Sequence, residues 1–281
     1  MLITKFMINF KFAGTFSSKS KLESNIDYGA MKINTKFRSP NYSFRTAPIS
    51  FIIIHYTERN FKDSLALLCN YKKKVSAHYL IKSSGEIFNL VEDRLSAWHA
   101  GLSHWQGIDK INEHSIGIEI ENLGDENFPP IQMEACIDLC NMLSQRYNID
   151  KNNIIGHSDI APDRKIDPGI FFDWSILASS NLGKWYKIDH KDIEDTELVI
   201  KYNEQNTEIM NLQRNLRKIG YKIAMTGTFD LQTNYVVRAF YAHFYPSSIR
   251  KIGVNFYRDQ DSKYSWNKTV AKILAGLIAN A

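Results

Sequence analysis

The stretch Phe51-Ile-Ile-Ile-His-Tyr-Thr constrains this chain more than any other. Four consecutive apolar residues, Phe51 to Ile54, leave no polar position to face water, so they read as a fully buried strand. The strand ends on His55, with Tyr56 and Thr57 directly behind it. Imidazole is the side chain best suited to proton transfer and metal ligation near neutral pH. A buried strand that delivers it to its own mouth raises the question of what it meets there.

The rest of the chain supplies the company such a strand needs. A polar, irregular lead-in runs to about Ser50, and a helix is expected over 63–71. The segment AHYLIKSSGEIFNLV reads as a hairpin turning at Ser83-Ser84-Gly85. SIGIEIEN alternates as a strand, Pro129-Pro130 introduces a helix over 131–147, and NIIGH is another short strand. Strands and helices mix throughout, which gives an α/β class with a mixed central sheet flanked by helices. From Lys187 to Tyr202 the chain turns polar and loses its periodicity, as a linker does. Beyond it, IMNLQRNLRKIGY, LQTNYVVRAFYAHF and NKTVAKILAGLIA are amphipathic and predict a second, smaller all-α domain of three helices. The expected division is an N-terminal extension over 1–34, a main domain over 35–186, the linker over 187–202 and the helical domain over 203–281.

Composition excludes several classes. With 281 residues, 44% of them hydrophobic, the chain has material for one large domain and a smaller one. Its formal charge of +5 comes from 35 basic and 30 acidic residues spread along the chain. The one cluster, Lys72 to Lys74, reads as a solvated face, and no nucleic-acid partner is expected. No apolar run approaches the roughly 18 to 20 residues that span a bilayer. Cys69, Cys136 and Cys140 form no CxxC pair, and Cys136, Cys140 and Leu143 share a helical spacing that makes the cysteines core residues. At the N-terminus, MLITKFMINFKFAGTF is a weak export signal, since Lys11 interrupts its apolar stretch and no small-residue cleavage site follows.

Among eight histidines, His157 in NIIGHSDIAPDRKIDPG repeats the setting of His55 at the end of a short apolar strand. Ten residues on comes Asp167, held by Pro168 and followed by Gly169. Two neutral imidazoles and a carboxylate can form a three-ligand zinc site whose fourth position stays open, as in hydrolytic metal centres. A histidine at a strand end also serves as an ordinary rim residue, and spacing does not separate the two readings.

The surrounding phrases do more. IIIHYT, AWHAGLSHWQG (97 to 107), SIGIEIEN and GHSDIAPDRKIDPG (156 to 169) resemble, in order, the zinc N-acetylmuramoyl-L-alanine amidases of the amidase-2 family, relatives of phage-type amidase lysozymes and peptidoglycan recognition proteins. The resemblance spans roughly 35–180. It implies Zn2+ ligation by His55, His157 and Asp167, acid/base catalysis by Glu119, and a cation, Lys165, near the reacting carbonyl. Strand alternation alone puts Glu121 on the same face as Glu119 and does not choose between them. Tyr56, Trp98, His99 and Trp105 are the candidates for contact with sugar or peptide stem, the tryptophans equally readable as packing. His78, His104, His114, His190 and His243 are expected to be structural.

Residues 205–246 resemble the three-helix peptidoglycan-binding module often fused to wall hydrolases, although AFYAHF departs from that pattern. A helical cap on the main domain is the competing reading. The implied activity is hydrolysis of the amide between the lactyl group of N-acetylmuramic acid and L-alanine in peptidoglycan or its muropeptide fragments. A recycling amidase for anhydro-muropeptides in the cytoplasm and a non-catalytic recognition protein are the alternatives. The cell envelope, specifically the periplasm, is the expected location, and oligomeric state is left open.

Overall fold

A computed structural model of the chain describes residues 25–28, 31–188 and 197–279. The candidate export segment and His190 lie outside the described residues. In chain order come β1 (Asn25–Tyr28), β2 (Met31–Asn34), β3 (Tyr42–Phe44), β4 (Phe51–Tyr56), α1 (Phe61–Leu68), β5 (Tyr79–Ile81), β6 (Ile87–Asn89) and β7 (Leu95–Ala97). Then follow β8 (His104–Trp105), β9 (Ile108–Asp109), α2 (Ile111–His114), β10 (Ser115–Ile120), α3 (Pro130–Tyr147), β11 (Ile154–Gly156), α4 (His157–Ile160) and α5 (Trp174–Ser179). The C-terminal unit adds β12 (Leu198–Ile200), α6 (Thr207–Ile219), α7 (Leu231–Phe244), α8 (Pro246–Ile252), α9 (Val254–Arg258), β13 (Trp266–Asn267) and α10 (Lys268–Ala279).

Seven strands form the main sheet in the order β1-β2-β6-β5-β10-β4-β11. β10 runs parallel to β4 and β5, and β11 is parallel to β4, whereas β5 and β6 form the expected antiparallel hairpin. All six residues of β4 are buried, because both faces of the sheet are covered. Ile52 and Ile54 pack with Cys136, Leu139, Cys140 and Leu143 of α3. Phe51 and Ile53 share a cluster with Ile155 and with residues of α6, α7 and α10. The uninterrupted apolar run follows from that double burial. The two α3 cysteines are free and buried, as their spacing predicts.

Two boundaries differ from expectation. The polar lead-in is not irregular where it is described, because β1 and β2 extend the main sheet, with Ile33 of β2 opposite Ile87 of β6. Ile33 is the buried apolar residue that ties in an otherwise polar strand. At the other end, residues 198–200 of the expected linker form β12, paired with β13, and so belong to the C-terminal unit; 189–196 lie outside the described residues. The three expected helices are α6, α7 and α10, accompanied by the short α8 and α9.

Candidate metal centre

Because β4, β10 and β11 are parallel, their carboxyl ends open on one edge of the sheet, where open α/β sheets place their sites. Register pairs Glu119 with His55 and Gly156 with Ile54. His55, Glu119 and His157 therefore stand at one level on adjacent strands. His157 itself is the first residue of α4, one step beyond the strand. Asp167 comes from the following loop, its carbonyl accepting the Ser158 N–H at 2.8 Å, and the Asp167–Pro168 peptide is cis.

Three ligand atoms converge. His55 Nδ1 and His157 Nδ1 are 2.9 Å apart, and each lies 3.0 Å from Asp167 Oδ2. The hydrogen-bond network assigns the protons. Ser115 Oγ sits 2.6 Å from the Ile111 carbonyl, to which only its O–H can donate, so it accepts from His99 Nε2 at 3.1 Å. His99 Nδ1 is then an acceptor, and the His55 Nε2–H donates to it at 3.0 Å. That leaves a bare lone pair on His55 Nδ1. His157 Nε2 faces the Ala100 carbonyl at 3.2 Å and donates to it, which turns Nδ1 towards His55 and Asp167. Burial, the His157 ring and Lys165 together outweigh the pull of Asp167 and lower the His55 pKa to about 4, so the ring stays neutral. Burial pushes Asp167 upward, but His157 and His55 more than reverse this and keep it ionised.

Two imidazole nitrogens and a carboxylate oxygen thus crowd together at sites only 1%, 2% and 9% exposed. Such a cluster is strongly unfavourable without a cation at its centre. Tetrahedral zinc, with bonds of about 2.0–2.1 Å, separates its ligand atoms by about 3.3 Å. The observed triangle is a few tenths of an ångström tighter, within reach of small ring rotations. The donors therefore fit a small first-row metal. Among the described residues, this is the one His/Cys/Asp/Glu group of three or more that converges in this way.

A cavity of about 300 Å³ opens on this triangle and is also lined by Tyr56, Glu119 and Lys165. Glu119 Oε2 is buried without a hydrogen-bond partner. Burial, and secondarily the Asp167 charge, push the Glu119 carboxyl well above the usual range, with Lys165 opposing. Glu121 turns elsewhere, its carboxylate accepting the Phe61 and Ser83 N–H groups at 2.8 Å each and so fastening α1 to the β5–β6 turn.

Of the remaining candidates, Tyr56 lines the cavity between Gly124 and Gly169. His99 also lines the cavity, with both ring nitrogens engaged. Neither tryptophan lines this cavity. Trp98 donates to Ser43 Oγ at 2.7 Å, and Trp105 is buried under Gly220 and Tyr221 of the C-terminal unit. One contributor, part of the phrase GHSDIAPDRKIDPG, has no role in the sequence reading. Arg164 donates to the carbonyls of Ala100 and Leu102, holding the same Ala100 group that fixes His157.

Residues 45–170 match the family model of N-acetylmuramoyl-L-alanine amidases. The amidase AmiD of Escherichia coli is 35% identical over 217 residues, covering 71% of this chain and 76% of that protein. The 1,6-anhydro-N-acetylmuramyl-L-alanine amidase AmpD of Haemophilus influenzae is 35% identical over 177 residues, 56% of this chain and 96% of its own length. In three dimensions, the E. coli AmiD complex with anhydro-N-acetylmuramic acid-L-Ala-D-γ-Glu-L-Lys superposes with a TM-score of 0.66 at 27% identity, covering 92% of this chain and 98% of that one. AmpDH3 from Pseudomonas aeruginosa gives 0.65 at 28% identity, covering 91% and 98%.

Proposed function

The chain belongs to the N-acetylmuramoyl-L-alanine amidase family, and from that premise we propose that it hydrolyses the amide between the lactyl group of N-acetylmuramic acid and L-alanine in muropeptides, with zinc held by His55, His157 and Asp167. The observation that carries this reading is the convergence of three ligand atoms beside a buried, unpartnered Glu119 oxygen.

When bound, zinc supplies Lewis acidity and makes a water acidic enough to ionise near neutral pH. The protein does the rest. Glu119, its carboxylate carrying no competing hydrogen bond at Oε2, takes the proton of the attacking water and returns it to the departing amine, without which the amide would re-form. Lys165, on the cavity wall, meets the negative charge that develops on the carbonyl oxygen. His99 and Ala100 hold the two imidazoles in the tautomer that presents Nδ1. Muropeptide-sized substrates are supported by the AmiD complex and by AmpDH3 solved with an anhydromuramic pentapeptide. No helix among the described residues is long and apolar enough to cross a membrane. We place the protein in the cell envelope, where its polymeric substrate lies, with cytoplasmic turnover of anhydro-muropeptides as the alternative that cell fractionation tests.

The purified protein should carry about one zinc per chain. It should release the stem peptide from an anhydro-muropeptide, as followed by mass spectrometry, and lose that activity on chelation until zinc is restored. Full activity after verified metal removal would overturn the zinc assignment, and a zinc-loaded protein that binds without cutting would return it to the recognition class.

A further inference from the structure

The segment 156–169 delivers His157, Lys165 and Asp167, yet its only regular structure is the four-residue α4. Its internal bonds are few: Asp159 Oδ2 accepts the Gly156 N–H at 2.8 Å, Ser158 bonds back to Asp167, and Ala161 and Lys165 close single turns. So short a segment does not hold three functional side chains by itself.

Beyond the hold of Ala100 and Leu102 on His157 and Arg164, its restraint comes from the C-terminal unit. Asp159 is 1% exposed, and two of its three donors are C-terminal: the Tyr221 hydroxyl to Oδ1 at 2.6 Å and the His243 Nδ1–H to Oδ2 at 2.7 Å. The His243 ring is stacked between Trp174 and Phe244, at 3.9 and 4.0 Å, which fixes its plane. Further along, Arg238 donates to the Pro162 carbonyl at 2.8 Å, and the Tyr257 hydroxyl donates to the carbonyl of Ile166. That last carbonyl shares a peptide plane with Asp167, so holding it sets the direction in which the Asp167 carboxylate leaves the chain. All four C-terminal side chains are buried.

We propose that Tyr221, Arg238, His243 and Tyr257 are positioning residues that clamp the 156–169 segment into its metal-binding geometry, so that the C-terminal unit is part of the support of the metal centre. This rests on the zinc reading above. Outer-shell partners of metal ligands are worth about 10- to 100-fold in metal affinity, and here each grip acts on the backbone or helix that carries a ligand.

The test uses the full chain and conservative variants. Tyr221→Phe and Tyr257→Phe each keep the ring and remove one grip, whereas Tyr241→Phe removes a hydrogen bond of 3.0 Å to Ser265 that lies wholly within the C-terminal unit. Zinc affinity is measured by competition with a chromophoric chelator, alongside the thermal midpoint of the metal-free proteins. Tyr221→Phe and Tyr257→Phe should each bind zinc about tenfold more weakly, at the low end of the outer-shell range. Tyr241→Phe should match the parent in zinc affinity whatever its stability. If the two grip variants lose no more affinity than Tyr241→Phe, the clamp is refuted while the zinc site stands. If the parent binds no zinc, the metal reading fails and the clamp with it.

Discussion

Gly117 offers the sharpest test of the hydrogen-bond chain behind His55. A Cβ built on Gly117 would lie 2.4 Å from His99 Cγ and 2.6 Å from Cδ2 and Nδ1, against 3.4 Å or more for an ordinary contact. The substitution Gly117→Ala therefore asks the ring to retreat by about 1 Å, the difference between those distances. It has little room, because the ring is wedged edge-on between His55 and His78, at 5.1 and 5.6 Å between centroids. A 1 Å retreat stretches the 3.0 Å His55–His99 hydrogen bond beyond useful length. Overpacking of this kind costs about 1–3 kcal/mol, or about 2–10 °C in the thermal midpoint of a chain this size. Loss of the His55 tautomer lock should weaken zinc binding about 10- to 100-fold on top of that.

The assay pairs chelator competition for zinc with thermal unfolding of the metal-free protein. Ile118→Val is the control: it sits on the same strand, faces α3, and costs a comparable 0.5–1.5 kcal/mol or so without touching His99. Gly117→Ala should lose both stability and zinc affinity, Ile118→Val stability alone. The double variant Gly117→Ala/His99→Ala should bind zinc no worse than His99→Ala, since the clash then has no partner. Unchanged zinc affinity in Gly117→Ala would refute the proton assignment that runs from Ser115 through His99 to His55.

Other expectations follow from the same geometry. Glu119→Gln should keep its zinc by elemental analysis and lose about 10²- to 10⁴-fold or more in turnover, whereas Glu121→Gln, which fastens α1, should stay within about tenfold of the parent, below that catalytic range; the reverse ranking would reassign the acid/base. A chain ending at residue 188 should fail to fold stably by circular dichroism, because it exposes the Trp105 pocket and the Phe51–Ile53 face and leaves buried Asp159 with one donor of three; a folded, zinc-binding fragment would contradict this. In zinc-free protein, burial foremost holds His55 and His78 neutral to about pH 4 and 3, and His99 well below its usual range. The unfolded chain takes up these protons near pH 6.5, so urea midpoints should fall steadily as pH drops from about 6.5 towards 4. Asp93 and Glu119, both raised chiefly by burial, act in the opposite sense, so the fall should steepen in Glu119→Gln, and a flat profile in that variant would show that the histidines are not buried neutral.

The sheet was legible because its signal is local. Phe51–Ile54 and the isoleucines of SIGIEIEN report burial directly, and Ser83-Ser84-Gly85 marks its turn by chemistry, with Gly85 at φ 82°. The His55, His157 and Asp167 convergence was legible only through the family's phrases, since nothing in a spacing of 102 and 10 residues brings two strand ends and a loop together. Trp105 is open to two readings in the sequence for a related reason. An indole suits a sugar groove and an apolar joint equally, and the choice fell to Gly220, whose bare Cα lets the C-terminal unit close on it at a distance where a Cβ would clash at 2.4 Å. The strand at 198–200 escaped notice because its partner, Trp266–Asn267, lies more than sixty residues away and only Ile200 is shown buried.

β10 shows how support and chemistry share one strand. Its even residues, Ile116, Ile118 and Ile120, bury apolar surface against α3 and stabilise the strand, and the odd ones are released for the site. Successive residues on that face stand about 7 Å apart. Ser115 terminates the proton chain on the Ile111 carbonyl, Gly117 makes room for the His99 ring that passes the chain on, and Glu119 reaches the cavity beside His55. Each identity is dictated by what stands opposite: a hydroxyl where a donor and an acceptor are both needed, no side chain where a ring must press on the backbone, and a carboxylate where the strand emerges from cover. The alternation Ser-Ile-Gly-Ile-Glu-Ile, which on its own describes a half-exposed strand, is here the record of two buried faces with different duties, one apolar throughout and one graded from tautomer control to proton transfer.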